Sequence, residues 1–188
     1  MCLIREKMTK KRKTNSVTNI KAALIDLLLE KEYSKITIGN ITQRANVSRG
    51  TFYQHFLDKD DLAYSIGTET MQRFWAILAQ GNLDKKDMLL KALLLVQKDY
   101  KHFKAISKAP HVQFKDKVQQ LICDLINNNT TIREKIKINT KISDEIVIKA
   151  FSASFETIIS FWIDNDLSES PEKVVDNIIK IEQLFWKK

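Results

Sequence analysis

An all-α fold is what this 188-residue chain predicts, on three observations. Glycine and proline, the residues that interrupt helices, number only four and two. Leu, Ile and Lys are abundant. Apolar residues recur three and four apart, the spacing that lines them up along one face of a helix. There is no sheet to build, and the pattern divides into about nine helices.

Taken in order, residues 16–30 make the first helix, in which Ile20, Ala23, Leu24, Leu27 and Leu28 supply the apolar stripe. The second starts after Thr37, a natural N-cap, and carries Ile38, Ile41 and Ala45 on one face. Asn46 follows the last periodic residue and enters the left-handed region cheaply, so the chain turns at Asn46-Val47. Ser48 caps the third helix, where Phe52 and Phe56 point inward and Arg49, Thr51, Tyr53 and His55 face outward or along the rim. Asp60 and Asp61 suit the start of a fourth helix, which continues through Met71, Phe74, Trp75 and Leu78 toward Gly81. Further helices are expected over residues 86–107, 112–127, 131–138, 143–165 and 171–186, the last with Ser170 as N-cap and Pro171 at its first position.

The organisation that follows is a basic tail over residues 1–13, a three-helix head over 14–62 and a helical body over 63–188. The tail holds Arg5, Lys7, Lys10, Lys11, Arg12 and Lys13 with almost no apolar periodicity, which predicts disorder. It reads equally as an arm for a minor groove and as a solubilising extension. Initiation at Met8 instead of Met1 stays open.

Two short helices joined by a tight turn form a helix-turn-helix, whose second helix enters the major groove with its N-terminal side chains at base edges. The charge distribution agrees. Residues 1–60 carry twelve Lys/Arg against six Asp/Glu, whereas residues 61–188 carry nineteen against seventeen. The positive excess thus sits with the motif, where it attracts duplex phosphate in a salt-dependent way.

The run Ala45-Asn46-Val47-Ser48-Arg49-Gly50-Thr51-Phe52-Tyr53-Gln54-His55-Phe56, followed by Lys59 and Leu62, resembles the signature of the tetracycline-repressor (TetR) family of bacterial transcriptional regulators. The likeness is close over residues 16–64. Glu32 stands where the family often has a helix-ending glycine, and Asn46 where glycine is common. The resemblance implies that Arg49 and Thr51 reach bases or nearby phosphates, with Arg49 the best reader because its planar fork matches guanine O6 and N7. It implies that Thr37, Tyr53, His55 and Lys59 hold phosphates, that Ser48 serves either role, and that Gly50 clears the approach to the groove.

It further implies a homodimer formed through the last two long helices. Residues 146–163 are apolar around most of the helix, which implies burial on two sides. The expected interface is Phe151, Phe155, Ile158, Trp162, Val174, Ile178, Ile181 and Phe185; a monomer that hides these faces internally is the alternative. A small-molecule effector would enter a cavity lined by Met71, Phe74, Trp75, Met88, Leu95, Phe103, Phe114 and Phe155, although such a set at helical spacing is ordinary core until a cavity exists.

The expectation is therefore a homodimeric repressor that binds an inverted repeat in double-stranded DNA and is released by a small molecule. The alternative is a coactivator or partner-controlled DNA-binding protein without a ligand. Cys2 and Cys123 give no disulfide framework, and Cys123 reads as a small core residue. His55, His102 and His111 are too few and badly spaced for a metal site, and no phosphate loop or paired-thiol motif is present, so neither enzyme nor cofactor is expected. No signal-peptide run and no membrane-spanning stretch is expected, which points to the cytoplasm.

Overall fold

The computed structural model describes residues 2–78, 85–128 and 142–186, with side chains over 15–77, 85–128 and 142–183. Among them are nine α-helices and no strand. The expected helix over residues 131–138, Gly81 and the side chain of Phe185 lie outside the described residues. Two compact units emerge, Met1–Thr68 with Lys104–Gln113, and Glu69–Phe103 with Phe114–Lys188.

In the first unit, helix α1 spans Cys2–Glu30. It begins fourteen residues before the expected start and runs through the tail that was expected to be disordered. Neither Gly nor Pro occurs before Gly39, and Lys, Arg, Met and Leu lose little side-chain freedom in a helix. The helix closes with Lys31 N donating to Leu27 O at 3.0 Å, and a 3-10 turn, Tyr33–Lys35, follows. Helix α2 is Ile38–Arg44 and α3 is Arg49–Tyr53. The buried side chains of Ile20, Leu24, Ile36, Ile41, Phe52 and Leu62 form the core of this unit. Helix α4, Lys59–Leu78, and helix α6, Tyr100–Ser107, each contribute residues to both units.

In the second unit, the single helix expected over residues 86–107 is two, α5 (Lys85–Lys98) and α6. The interruption is one residue, Asp99, whose carboxylate bonds Arg73. Asp99 N still donates to Leu95 O at 3.1 Å and Phe103 N to Asp99 O at 3.2 Å, so helical hydrogen bonding continues across the break. Helix α7, Phe114–Asn127, starts two residues later than expected because Pro110–Val112 is a 3-10 turn and Gln113 has φ 52°. Helix α8 is Asp144–Asp164, capped by Ser143, and α9 is Pro171–Trp186, where Ser170 Oγ accepts from Lys173 N at 3.3 Å. Between them Asp166 and Leu167 are both left-handed, with φ 54°. Helix α8 packs on α7 and α9, and α5 on α9, where Lys86 pairs with Asp176 at 3.0 Å.

Helix α8 corrects one expectation. By length and composition it is apolar enough to cross a membrane, with mean hydropathy 1.5 over its best window. Half of that window is buried inside the chain, and Ser152, Glu156 and Ser160 are buried on the same helix. Packing against α7 and α9 accounts for its apolar character.

His102, on α6, shares a 2.7 Å hydrogen bond with the Thr70 hydroxyl and stacks edge-on to Phe103 at 5.4 Å. Burial, with the Arg73 charge adding to it, holds this imidazole below its ordinary value of 6.5. The unfolded chain therefore takes the proton first, and the stability this group contributes above 6.5 is lost as pH falls toward the folded value. His102→Gln keeps a partner for Thr70 without a titrating ring. Melting curves between pH 7.5 and 5 should show a smaller acid-side loss for the variant than for the wild type.

Candidate nucleic-acid interface

The helix-turn-helix is assembled by local chemistry. Thr37 Oγ1 accepts from Asn40 N at 3.2 Å while Asn40 Oδ1 accepts from Thr37 N at 3.1 Å, a reciprocal cap that starts α2. Asn40 also accepts from Lys31 Nζ at 3.0 Å. Asn46 has φ 53°, and Val47 N returns to Thr42 O at 3.0 Å, which closes the turn. Ser48 Oγ then accepts from Thr51 N at 3.0 Å and starts α3.

Phe52 is fully buried and Phe56 nearly so, with ring centroids 5.8 Å apart. With one face of α3 thus held in the core, Ser48, Arg49, Gly50, Tyr53 and Gln54 are exposed, as is Thr37 at the start of α2. Thr51 is half-buried, and its hydroxyl lies 2.9 Å from that of Ser48. Among the described residues no carboxylate pairs with Arg49, whereas Arg44 on α2 is taken by Glu30 at 2.7 Å. That contact lowers the Glu30 carboxyl and raises the Arg44 guanidinium.

Two members of the expected set are placed differently from a free phosphate contact. Lys59 Nζ donates to Tyr33 O at 2.8 Å and to Ile36 O at 2.9 Å, and lies 4.0 Å from the centre of the Tyr33 ring. Two of its three donors therefore fasten the 3-10 turn to the start of α4. His55 is half-buried beside Phe56, and its Nε2 is enclosed without a hydrogen-bond partner. Only its other nitrogen is left for a phosphate.

Next to the Lys59 clamp is a cluster that sequence reasoning missed. Tyr33 Oη donates to Asp60 Oδ1 at 2.5 Å, and burial together with that carboxylate raises the phenol far above its ordinary value. The His111 ring stands 5.4 Å from Tyr33, with Nε2 3.7 Å from Asp60 Oδ2. These residues lie 27 and 51 positions apart, and no local pattern could have joined them.

In the second unit a cavity of about 50 Å³ lies among α5, α7 and α8. Phe74, Met88, Phe114 and Phe155, four of the candidate residues, line it together with aliphatic residues such as Leu93, Leu121 and Ile159 that were not anticipated. Phe103 is not in the lining: it is fully buried against Phe74 and Phe114, at 5.5 and 6.0 Å. Met71 is buried away from the cavity, Leu95 is half-buried outside its lining and Trp75 is partly exposed.

The residues expected at a dimer interface fall into two sets. Phe151, Phe155, Trp162, Val174 and Ile178 are packed inside the chain, because α8 meets α7 and α9 on those sides. Ile158 and Ile181 are half-buried and line a surface groove on α8 and α9 of about 520 Å³, beside Phe161, which is 67% exposed. Among the described residues no three His, Cys, Asp or Glu side chains gather as a metal set.

Comparison with known proteins follows the same division. Residues 20–66 match the model for bacterial regulatory proteins of the tetR family, and residues 84–183 match a transcriptional regulator C-terminal region. The uncharacterized HTH-type transcriptional regulator YxbF of Bacillus subtilis is 37% identical over 59 residues, 31% of this chain and 16% of its own length. The fatty acid metabolism regulator protein of the same organism is 26% identical over 126 residues, 67% of this chain and 61% of its own. The chain thus spans less than two thirds of the length of either relative. The crystal structure of a TetR transcriptional regulator from Streptococcus agalactiae shares the fold, with TM-score 0.68 at 19% identity over 94% of this chain and 98% of that one. With its all-helical architecture, its helix-turn-helix and matches over both parts of its length, this chain belongs to the TetR family of transcriptional regulators, a family of DNA-binding proteins and not of enzymes.

Proposed function

We propose that this regulator is a cytoplasmic homodimeric repressor that binds an inverted-repeat operator through α3 and is released by an apolar small molecule. The observation that carries the reading is the exposed start of α3. Ser48, Arg49 and Gly50 stand in solvent while Phe52 on the same helix, and Phe56 just past its end, are held in the core. Among the described residues a Cβ at Gly50 would meet only Ser48 Oγ, at an ordinary contact distance of 3.6 Å, so none of them demands glycine there. Close approach to a groove supplies the demand. In this reading Tyr53 and Thr37 hold phosphates, as does the free nitrogen of His55, and Thr51 meets a base or phosphate beside them.

The groove of α8 and α9 supports dimerisation through Ile158, Phe161 and Ile181, since an exposed apolar strip of this kind is costly in water and cheap against its own copy. The apolar cavity supports an apolar effector, and one of the relatives is a fatty acid metabolism regulator. Its volume supports a second reading. About 50 Å³ is well below the several hundred Å³ of ordinary ligand sites, which favours a regulator governed by a protein partner unless side chains move to open the cavity.

The deciding experiment is selection of genomic fragments by the purified protein at near-physiological salt, followed by footprinting. A protected inverted repeat supports the dimeric repressor; retention that is salt-sensitive and sequence-blind overturns it. Arg49→Ala should relax sequence preference, by about 1–3 kcal/mol at one base pair, and equal loss on operator and random duplex would remove its reading role. Lys59→Met, deprived of both carbonyl contacts, should destabilise the head by about 1–2 kcal/mol in urea titration, beyond any flattening of the salt dependence. Phe161→Asp should shift the sedimentation profile toward monomer, while an unchanged dimer would place the interface elsewhere.

A further inference from the structure

Gly39 lies inside α2, where alanine is the better helix former, and no described glycine has a positive φ. Backbone freedom is therefore not the reason for glycine at this position. The reason lies in what stands over it. A Cβ built on Gly39 would come 3.1 Å from Arg49 Nη2, 3.5 Å from Thr37 Oγ1 and 4.0 Å from Arg49 Cζ. The guanidinium of α3 thus rests directly on the bare backbone of α2, in space that any side chain at position 39 would contest.

Charge does not put it there, because no carboxylate among the described residues pairs with Arg49. Shape does. A long cation seated against a helix has fewer rotamers to lose when it meets a ligand, so the contact also pre-organises it.

We propose that Gly39 is a specificity-determining position, whose missing side chain sets the place at which Arg49 presents its guanidinium to the duplex. The inference rests on the DNA-binding reading above and adds to it a residue on α2 that acts through one on α3. The contact at 3.1 Å is tight but ends on a flexible side chain, so alanine displaces the guanidinium slightly and leucine displaces it fully.

The test compares wild type, Gly39→Ala and Gly39→Leu, each with Arg49 intact and with Arg49→Ala, on a selected duplex and on a random duplex of equal length. Thermal melts accompany every variant. Gly39→Ala should melt at or above the wild-type temperature while losing part of its preference for the selected duplex, and Gly39→Leu should lose about tenfold, the order a misplaced base contact costs. In the Arg49→Ala background, neither change at position 39 should matter further. Equal effects in both backgrounds, or equal loss on both duplexes, would overturn the proposal. The alanine variant keeps the test decisive if the leucine variant does not fold. A wild-type protein without preference for any duplex would remove the DNA-reading assignment first, an outcome visible before any substitution.

Discussion

Everything the head can do depends on the burial of Phe52. Helix α3 has only five residues, Arg49–Tyr53, and a helix of that length has no stability of its own in water. It persists because Phe52 is fully buried and Phe56 is packed 5.8 Å away, each ring contributing about 1.5–3 kcal/mol by leaving water. That anchorage fixes rotation about the helix axis as well as its existence. With Phe52 inward, Arg49 and Gly50 must face solvent, and the reading surface is the geometric complement of the core.

The remainder of the head consists of devices that hold this arrangement still. The reciprocal cap of Thr37 and Asn40 starts α2, Asn46 turns the chain, and Ser48 starts α3. Lys59 ties the carbonyls of Tyr33 and Ile36 to the first turn of α4. A charged ammonium is held here by dipoles and an aromatic face instead of by a carboxylate, an arrangement that suits a surface meant to stay positive. The Tyr33 hydroxyl is spent on Asp60, which in turn faces His111, so residues from three separated stretches share one polar cluster.

The body solves a different problem. Helix α8 carries more apolar surface than one neighbour could cover, and it buries Phe151, Phe155 and Trp162 between α7 and α9. Ile146 and the strip around Phe161 remain outside, and inside is a cavity of about 50 Å³. Close packing leaves little room for a ligand and makes the exposed strip the more conspicuous unsatisfied feature.

The all-helical class, the caps at Thr37, Ser48 and Ser170, and the turn at Asn46 were determined by the sequence alone, because each depends on bonds between residues one to four apart. The outward placement of Arg49 and Tyr53 was legible for the same reason, since it follows from the inward spacing of Phe52 and Phe56. Tertiary structure alone decided that Lys59 clamps a turn, that Asp60 meets His111, that the guanidinium of Arg49 rests on Gly39, and that five of the eight expected dimer residues belong to the chain's own core. Helical periodicity states which residues share a face. Which other face covers it is decided by packing between helices distant in sequence, and no local pattern records that choice.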